Sequence, residues 1–191
     1  MPRIFTDHLL LRHFTPADEA DWARAVLTNP VTMRALPYGR PAPRQRAAAI
    51  LADVRDHWQE HGHGLWAVAL LATGALIGQA GLQRLDSGPR VELSVALCPP
   101  HGRGDLPQEA ARAVLRHGFE VARLAEVMAV VLPGNRDSRK LWRRLGMQPR
   151  GRVHLYEGHL PLFRLRRGDF VSGGERYELD LEGEPRSPAA A

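Results

Sequence analysis

The feature that most constrains the fold is an unbroken run of strand, glycine turn and helix between residues 91 and 119. Residues 91–98 (VELSVALC) are mostly apolar and predict a strand. Residues 99–104 contain two prolines and two glycines, which end that strand. Apolar side chains then recur at helical spacing from about Pro107 to Leu124. The chain therefore passes through a short turn from a strand directly into the start of a helix.

This turn has the features of an anion-binding site. The first N–H groups of a helix have no helical partner, and the helix dipole adds positive potential there. Gly102 and Gly104 carry no side chain that would block an anion, and Arg103 adds a charge. A plain tight turn shows the same pattern. The segment is neither a Walker loop, which needs Gly-Lys-Ser/Thr, nor a dinucleotide fingerprint, which needs a third glycine.

The rest of the chain alternates strand and helix patterns. Thr15 and Asp18 predict a capped helix start, and residues 29–43 and 87–89 read as loop and turn. The predicted strands are 8–14, the hairpin 65–82 folded at 72–74, 126–132, 152–157 and 160–166; the other predicted helices are 44–60 and 138–145. This order predicts a mixed α/β protein with one sheet. Residues 172–191 are polar and predict a flexible tail.

Composition narrows the class of protein. The 191 residues fit one domain, contain no apolar run of the roughly 20 residues a membrane helix needs, and begin without a secretory pattern. We therefore expect a soluble, cytoplasmic protein. Cys98 is the sole cysteine, which excludes an internal disulfide and reads as a small apolar strand residue.

The charge balance favours an anionic ligand. Net charge is +5, and Lys140 is the sole lysine among 26 basic residues. Arginine makes bidentate contacts with phosphate and carboxylate. The arginines are scattered among acids without an aromatic platform, so we expect no specific nucleic acid. A basic nucleic-acid-binding protein is the remaining alternative, and it would bind in a steeply salt-dependent way.

The motifs together resemble the GNAT superfamily of N-acetyltransferases, in its RimJ/RimL-type branch. His101 to Leu106 (HGRGDL) stands where that branch has a Gln, Arg or Trp followed by Gly-x-Gly-x-Ala/Gly. Residues 133–147 (PGNRDSRKLWRRLGM) resemble its Asn-x-x-Ser segment and Leu-Gly-Phe ending, with Met147 replacing the aromatic. Residues 6–22 (TDHLLLRHFTPADEADW) resemble its opening strand and helix, and the hairpin resembles its central hairpin, so the likeness runs from about residue 4 to 170.

The resemblance implies a fold, a reaction and a set of binding residues. The fold is a single GNAT-like domain over residues 1–171: a mixed, mostly antiparallel sheet flanked by helices, with a splayed central strand pair. The reaction is transfer of an acetyl group from acetyl-CoA to a primary amine, by direct attack in a ternary complex and with no metal. The implied cofactor-binding residues are Val95, Ala96, Leu97, His101, Gly102, Arg103, Gly104, Asp105, Leu106, Asn135 and Ser138.

Two side chains are implied as catalytic. Glu92 matches the strand glutamate that often serves this branch as a base, and a half-buried carboxylate could have a raised pKa; a surface ion pair with an arginine is the alternative. Ser138 could donate to the leaving thiolate, or serve as the N-cap of the short helix. Asn135 would hold the pantetheine arm or its own loop; a simple turn residue is its alternative.

Other readings remain open from the sequence. Leu106 replaces the small residue of the motif, Pro107 lacks an N–H, and one extra residue precedes the helix. These departures motivate a non-catalytic GNAT-like CoA-binding or regulatory domain, and the many arginines motivate succinyl or other acyl transfer. His57, His61 and His63 could ligate a metal, although a solvated helix end is the better interpretation. A homodimer is compatible with this branch.

Overall fold

The computed structural model describes residues 2–37, 39–85 and 88–181, and these fold around one nine-stranded sheet. The strands are β1 (Arg3–Phe5), β2 (Leu9–Arg12), β3 (Leu65–Leu70), β4 (Leu76–Arg84), β5 (Val91–Leu97), β6 (Glu126–Val130), β7 (Gln148–Leu155), β8 (Gly158–Arg166) and β9 (Glu178–Asp180). Their order is β7-β8-β6-β5-β4-β3-β2-β1-β9. Only the β5–β6 pair is parallel among the described strands. The predicted mixed, mostly antiparallel sheet is confirmed.

Five α-helices flank this sheet in the described ranges. They are α1 (Glu19–Trp22), α2 (Pro30–Met33), α3 (Ala47–His61), α4 (Leu106–Arg116) and α5 (Arg136–Arg144). Short 3-10 turns precede α1 and α3, and single π-helical turns, Ala23–Leu27 and His117–Val121, extend α1 and α4. None of these helices has the length and apolar character that crossing a bilayer requires.

The start of the first helix forms as the sequence predicts, but the loop after it does not. The Asp18 carboxylate accepts the backbone N–H of Thr15 at 2.8 Å, which is the acidic half of a capping box. Residues 29–43 were expected to be loop throughout. They include α2, because the Asn29 side chain caps the N–H groups of Val31 and Thr32 and Pro30 occupies the first helical position.

The C-terminal segment adds a strand at the sheet edge. β9 pairs antiparallel with β1, and Arg3 donates to Asp180 across that pair at 2.7 Å. The tail predicted from Ser172 did not include this strand, whose three residues are too few to stand out from a polar segment. Residues 182–191, and Ser87 of the predicted turn, lie outside the described residues.

Helix α4 is held against the sheet by its apolar face and by one carboxylate. Its Ala110, Ala111, Val114 and Leu115 are essentially inaccessible to solvent, and burying a side chain such as Leu115 contributes about 2 kcal/mol. In its first turn, Glu109 accepts from the Thr6 hydroxyl at 2.5 Å and from the His8 amide at 2.8 Å. These contacts fix the N-terminus of α4 relative to the strands, and so fix the geometry of the turn that precedes it.

Candidate active site

The two parallel strands separate just beyond Glu92. β5 and β6 are in register at Glu92 and Met128. From there β5 continues to Leu97 paired with β4 alone, while β6 ends at Val130 paired with β8. Strands that diverge leave backbone groups without ladder partners, which a ligand can use. The predicted splayed pair is thus present, with Glu92 at its vertex.

A cleft of about 1020 Å³ opens over this divergence. Its walls are the end of β5, the turn before α4, the inner face of α5, and α2 with the residues after it. The lining residues are Val31, Thr32, Ala35, Val95, Ala96, Leu97, Pro99, Pro100, Gly102, Arg103, Gly104, Asp105, Pro107, Asn135, Asp137, Ser138, Lys140, Leu141, Trp142 and Arg144. Nine of the residues predicted to bind a cofactor lie in this one cleft; His101 and Leu106 do not line it.

The glycine turn offers several unpaired amides. The N–H groups of His101 and Gly102 donate to the Cys98 carbonyl at 2.8 and 3.1 Å, so they close the turn. A Cβ at Gly102 would lie 2.6 Å from the Leu97 carbonyl oxygen, which explains the glycine there. Within the described residues, no hydrogen bond occupies the N–H groups of residues 103–106. The available donors therefore begin at Arg103, one residue later than the sequence suggested.

Neither departure from the family motif fills this corner. Leu106 is half-buried and packs against the core, away from the cleft lining. Pro107 lines the cleft as the second residue of α4, where a missing N–H breaks no helical hydrogen bond. The bulk at these two positions therefore leaves the cleft open.

Asn135, and not Ser138, is the N-cap of α5. The Asn135 Oδ1 accepts the Ser138 N–H at 3.0 Å, and its Nδ2 lies 3.5 Å from the Ala35 carbonyl across the cleft. The N-cap alternative for Ser138 is wrong, because a residue three positions earlier already caps this helix. Among the described residues the Ser138 hydroxyl has no hydrogen-bond partner, so it remains available at the cleft wall.

Basic side chains surround the cleft on the α5 side. Lys140 and Arg144 line it, and the exposed Arg103 faces Asp137 at 3.9 Å. Arg136, Arg139 and Arg143 continue the positive surface on the outer side of α5, over a shallow depression that they share with Lys140 and Arg144. A negatively charged ligand in the cleft is therefore favoured over a neutral or cationic one.

Glu92 is a buried carboxyl group held by two donors. It is 3% exposed and faces Met128 across the parallel pair. The Tyr156 hydroxyl donates to Oε2, and the Val130 backbone N–H also bonds the carboxylate. Burial raises the Glu92 pKa to about 7, while these two hydrogen bonds oppose the rise. The alternative of a surface ion pair with an arginine is wrong, because no arginine of the described residues contacts Glu92.

Sequence reasoning missed three parts of this site. Tyr156 arrives from the turn between β7 and β8, 64 positions after Glu92, so no local pattern could reveal it. Trp142 lines the cleft with a buried indole N–H that has no partner in the described ranges. It lies four residues after Ser138, a spacing that puts both on one helix face and could have been noticed. Helix α2, which forms one wall of the cleft, lies in the segment predicted to be a loop.

The three clustered histidines do not form a recognisable metal centre. The rings of His57, His61 and His63 lie 4.5 to 6.0 Å apart, yet no group of three ligand side chains suited to a metal ion occurs in the described residues. His63 is buried and contacts the Leu82 carbonyl at 3.1 Å. The interpretation as a solvated helix end is therefore wrong for His63, because the hairpin covers it.

The fold and the cleft are those of α/β acyltransferases in which two parallel strands diverge beside a glycine turn. The chain belongs to the GNAT acetyltransferase family, because the family model "Acetyltransferase (GNAT) domain" matches residues 8–148. Transfer of an acetyl group to an amine is the general activity of this family.

Individual relatives agree with this assignment. The chain is 26% identical over 147 residues to the uncharacterized protein YkkB of Bacillus subtilis strain 168, covering 76% of this chain and 84% of YkkB. It resembles the acetyltransferase from Agrobacterium tumefaciens strain C58 with a TM-score of 0.76 and 25% identity, over 87% of this chain and 95% of the other. The ribosomal-protein-S5-alanine acetyltransferase from Vibrio fischeri shares the fold, with a TM-score of 0.73, 15% identity, and 88% and 98% coverage.

Proposed function

We propose that this protein transfers an acetyl group from acetyl-CoA to a primary amine by direct attack within a ternary complex. The observation that carries the proposal is the cleft at the strand divergence, which brings unpaired amides and basic side chains together. Glu92 does not line this cleft; it is buried on β5 three residues before Val95, the first β5 residue that does. The amine is a protein N-terminus, a peptide or amino acid, or a small-molecule amine. The fold shared with a ribosomal-protein acetyltransferase supports the RimJ/RimL-type branch, and with it a protein N-terminus as the acceptor amine.

The cleft residues fit the chemistry of the donor. The amides of residues 103–106 and the side chains of Arg103, Lys140 and Arg144 suit the phosphates of coenzyme A. The open edge of β5 at Val95, Ala96 and Leu97 suits the amide-bearing pantetheine arm, which would pair with it as a short strand does. When bound, acetyl-CoA supplies the thioester acyl group; the protein supplies the donors, the base and the orientation.

Glu92 is the proposed base, acting directly or through a water molecule. With a pKa of about 7, a large fraction of Glu92 is ionised at neutral pH and can accept a proton, yet it binds that proton more strongly than an ordinary carboxylate does. Glu92 lies where β5 and β6 are paired, immediately before the two strands diverge. Holding both substrates together supplies much of the remaining rate enhancement.

Ser138 is the proposed donor to the departing thiolate. Its hydroxyl lines the cleft and is not committed to capping, because Asn135 performs that role. A hydroxyl has one proton to donate, so its freedom from a cap bond is what makes the catalytic role possible. The Trp142 N–H lies one helical turn further on and is a second donor without a protein partner in the described part of the chain.

An amine panel tests the proposal. Free thiol release is measured with acetyl-CoA and succinyl-CoA against amino acids, N-terminal peptides and small amines, and CoA binding is measured by calorimetry. We expect acetyl transfer to at least one amine class, and rates that fall about 100-fold or more in Glu92→Gln and about 10-fold in Ser138→Ala. Glu126→Gln, on the neighbouring strand, is the control.

The outcomes separate the alternatives. Binding without turnover on any amine would favour a regulatory CoA-binding domain, and preference for succinyl-CoA would change the donor. Absence of CoA binding would refute the role assigned to the cleft. Wild-type rates in both variants at saturating substrate would refute the mechanism while leaving the family unchanged.

A further inference from the structure

The turn that carries Tyr156 holds an uncommon backbone conformation. β7 and β8 are joined by two residues, Tyr156 and Glu157, with φ of 51° and 62°. Two-residue hairpin turns with positive φ at both positions favour Asn and Gly, and other residues occupy that region at a cost. Such a cost persists where surrounding contacts hold the residue, and these positions cluster at functional sites.

The contact that Tyr156 makes from this turn is with Glu92. Its ring packs beside an apolar cluster of Met128, Val130, Leu160 and Leu162, and its hydroxyl donates to the Glu92 Oε2. The contact joins β5, which carries Glu92, to the turn of the β7–β8 hairpin, whose strand β8 lies on the far side of β6 in the sheet order. The strained turn therefore holds the Tyr156 hydroxyl against the buried Glu92 carboxylate.

Little else in the surroundings orients or charges that carboxylate. Its neighbours across the sheet are Gln83 on β4 and Met128 on β6, and the Val130 N–H is its backbone donor. No charged side chain of the described residues acts on it. Because a carboxylate in apolar surroundings is unstable without donors, the Tyr156 hydrogen bond is the main side-chain contribution to its ionised form.

We propose that Tyr156 is a positioning residue for the Glu92 carboxylate, fixing its orientation at the strand divergence and favouring its ionised form. This inference rests on the proposed role of Glu92 as base. During the reaction one amine N–H bond breaks and one O–H bond forms on Oε1, the oxygen that Tyr156 does not hold, either directly or with a water molecule that takes the amine proton and passes one of its own to Oε1. Tyr156 keeps its own proton throughout, and the proton on Glu92 later leaves to solvent.

Tyr156→Phe tests the proposal through the pH profile. We expect the acidic limb of kcat/KM to move up by about one pH unit and kcat at pH 7 to fall about 10-fold, with the KM for acetyl-CoA unchanged. Tyr177→Phe is the matched control, because Tyr177 also has a buried hydroxyl but it lacks a partner in the described residues and stacks on Arg116. An unmoved profile in Tyr156→Phe, or an equal shift in both variants, overturns the proposal.

Two further measurements separate positioning from a structural role. In a Glu92→Gln background, Tyr156→Phe should cause no further loss of rate, whereas a structural defect would lower the rate in both backgrounds. Carbon-13 NMR of the Glu92 carboxyl, assigned with Glu92→Gln, follows its titration without any acceptor. A wild-type midpoint in Tyr156→Phe refutes the positioning role. A raised midpoint in a protein that acetylates no amine sustains the contact and refutes the proposed function.

Discussion

Replacing Glu92 by Gln should stabilise the protein at neutral pH while it impairs turnover. In the unfolded chain Glu92 is an ordinary glutamate with a pKa of 4.5, whereas burial raises the folded-state value to about 7. Below pH 4.5 Glu92 is protonated in both the folded and the unfolded state, so it does not lower the free energy of unfolding. As pH rises from 4.5 to 7 the unfolded chain releases its proton first, so stability falls, and above about pH 7 the loss is complete.

The size of this effect follows from the shift. The pKa of Glu92 is about 2.5 higher in the folded than in the unfolded chain, which corresponds to about 3 kcal/mol of lost stability at pH 7.5. About 2 kcal/mol of this loss develops between pH 5 and pH 7.5. Gln has nearly the same shape, keeps one carbonyl oxygen as an acceptor for the Tyr156 hydroxyl or the Val130 amide, and does not titrate. The stability difference between the variant and wild type should therefore grow by about 2 kcal/mol in favour of the variant over that interval.

Urea unfolding of both proteins at pH 5, 6, 7 and 7.5 measures this difference. Effects of Gln that do not depend on pH cancel, because only the change of the difference with pH is used. Glu126→Gln is the control: Glu126 is partly exposed and paired with Arg164 and Arg166, so its removal should not bring a gain toward neutral pH. A difference for Glu92→Gln that stays constant from pH 5 to 7.5 would refute a buried, neutralised carboxyl group.

Three other variants test neighbouring parts of the structure. Asn135→Ala should lower stability by about 1 kcal/mol, and Ser138→Ala by clearly less, when both are unfolded in urea. Trp142→Phe removes the unpaired indole N–H and shortens a side chain that lines the cleft, and it should weaken acetyl-CoA binding several-fold by calorimetry, whereas the same change at Trp66, which is buried in the core away from the cleft, should lower stability without a direct effect on binding. His117 is 2% exposed with a pKa lowered to about 4 by burial, so His117→Leu should reduce the loss of stability on acidification from pH 6.5 to 4, measured by the same unfolding.

Local patterns were sufficient for most of the fold. The hairpin 65–82 consists of two continuous apolar runs around a turn, and the helix that follows Pro107 has apolar residues three to four positions apart; both form as these patterns indicate. α2 escaped detection because four residues are too short for any period to show, although Asn29 and Pro30 are a good helix start. β9 escaped because its pairing partner is the opposite end of the chain.

The candidate site was predictable where its residues are neighbours in sequence. The glycine turn and the start of α5 are each contiguous, so motif resemblance located both, and the structure brings them to one cleft. The distribution of hydrogen bonds was not predictable, because it depends on backbone geometry: Gly102 closes the turn and Asn135, not Ser138, caps α5. The partner of Glu92 depends on the β7–β8 register, which no local pattern encodes.

The buried acid and the buried bases pull the stability of this protein in opposite directions with pH. Unfolded histidine binds a proton below about pH 6.5, whereas His117 resists protonation until pH about 4, so acid destabilises the fold over that interval. Glu92 acts the other way, since its ionisation destabilises the fold as pH rises to about 7. The two shifts are similar in size and overlap between about pH 4.5 and 6.5, so the gain from His117 and the loss from Glu92 nearly cancel over that interval. With Glu92 as the proposed base, activity should be greatest at or above pH 7, where the ionised Glu92 lowers the stability of the fold most.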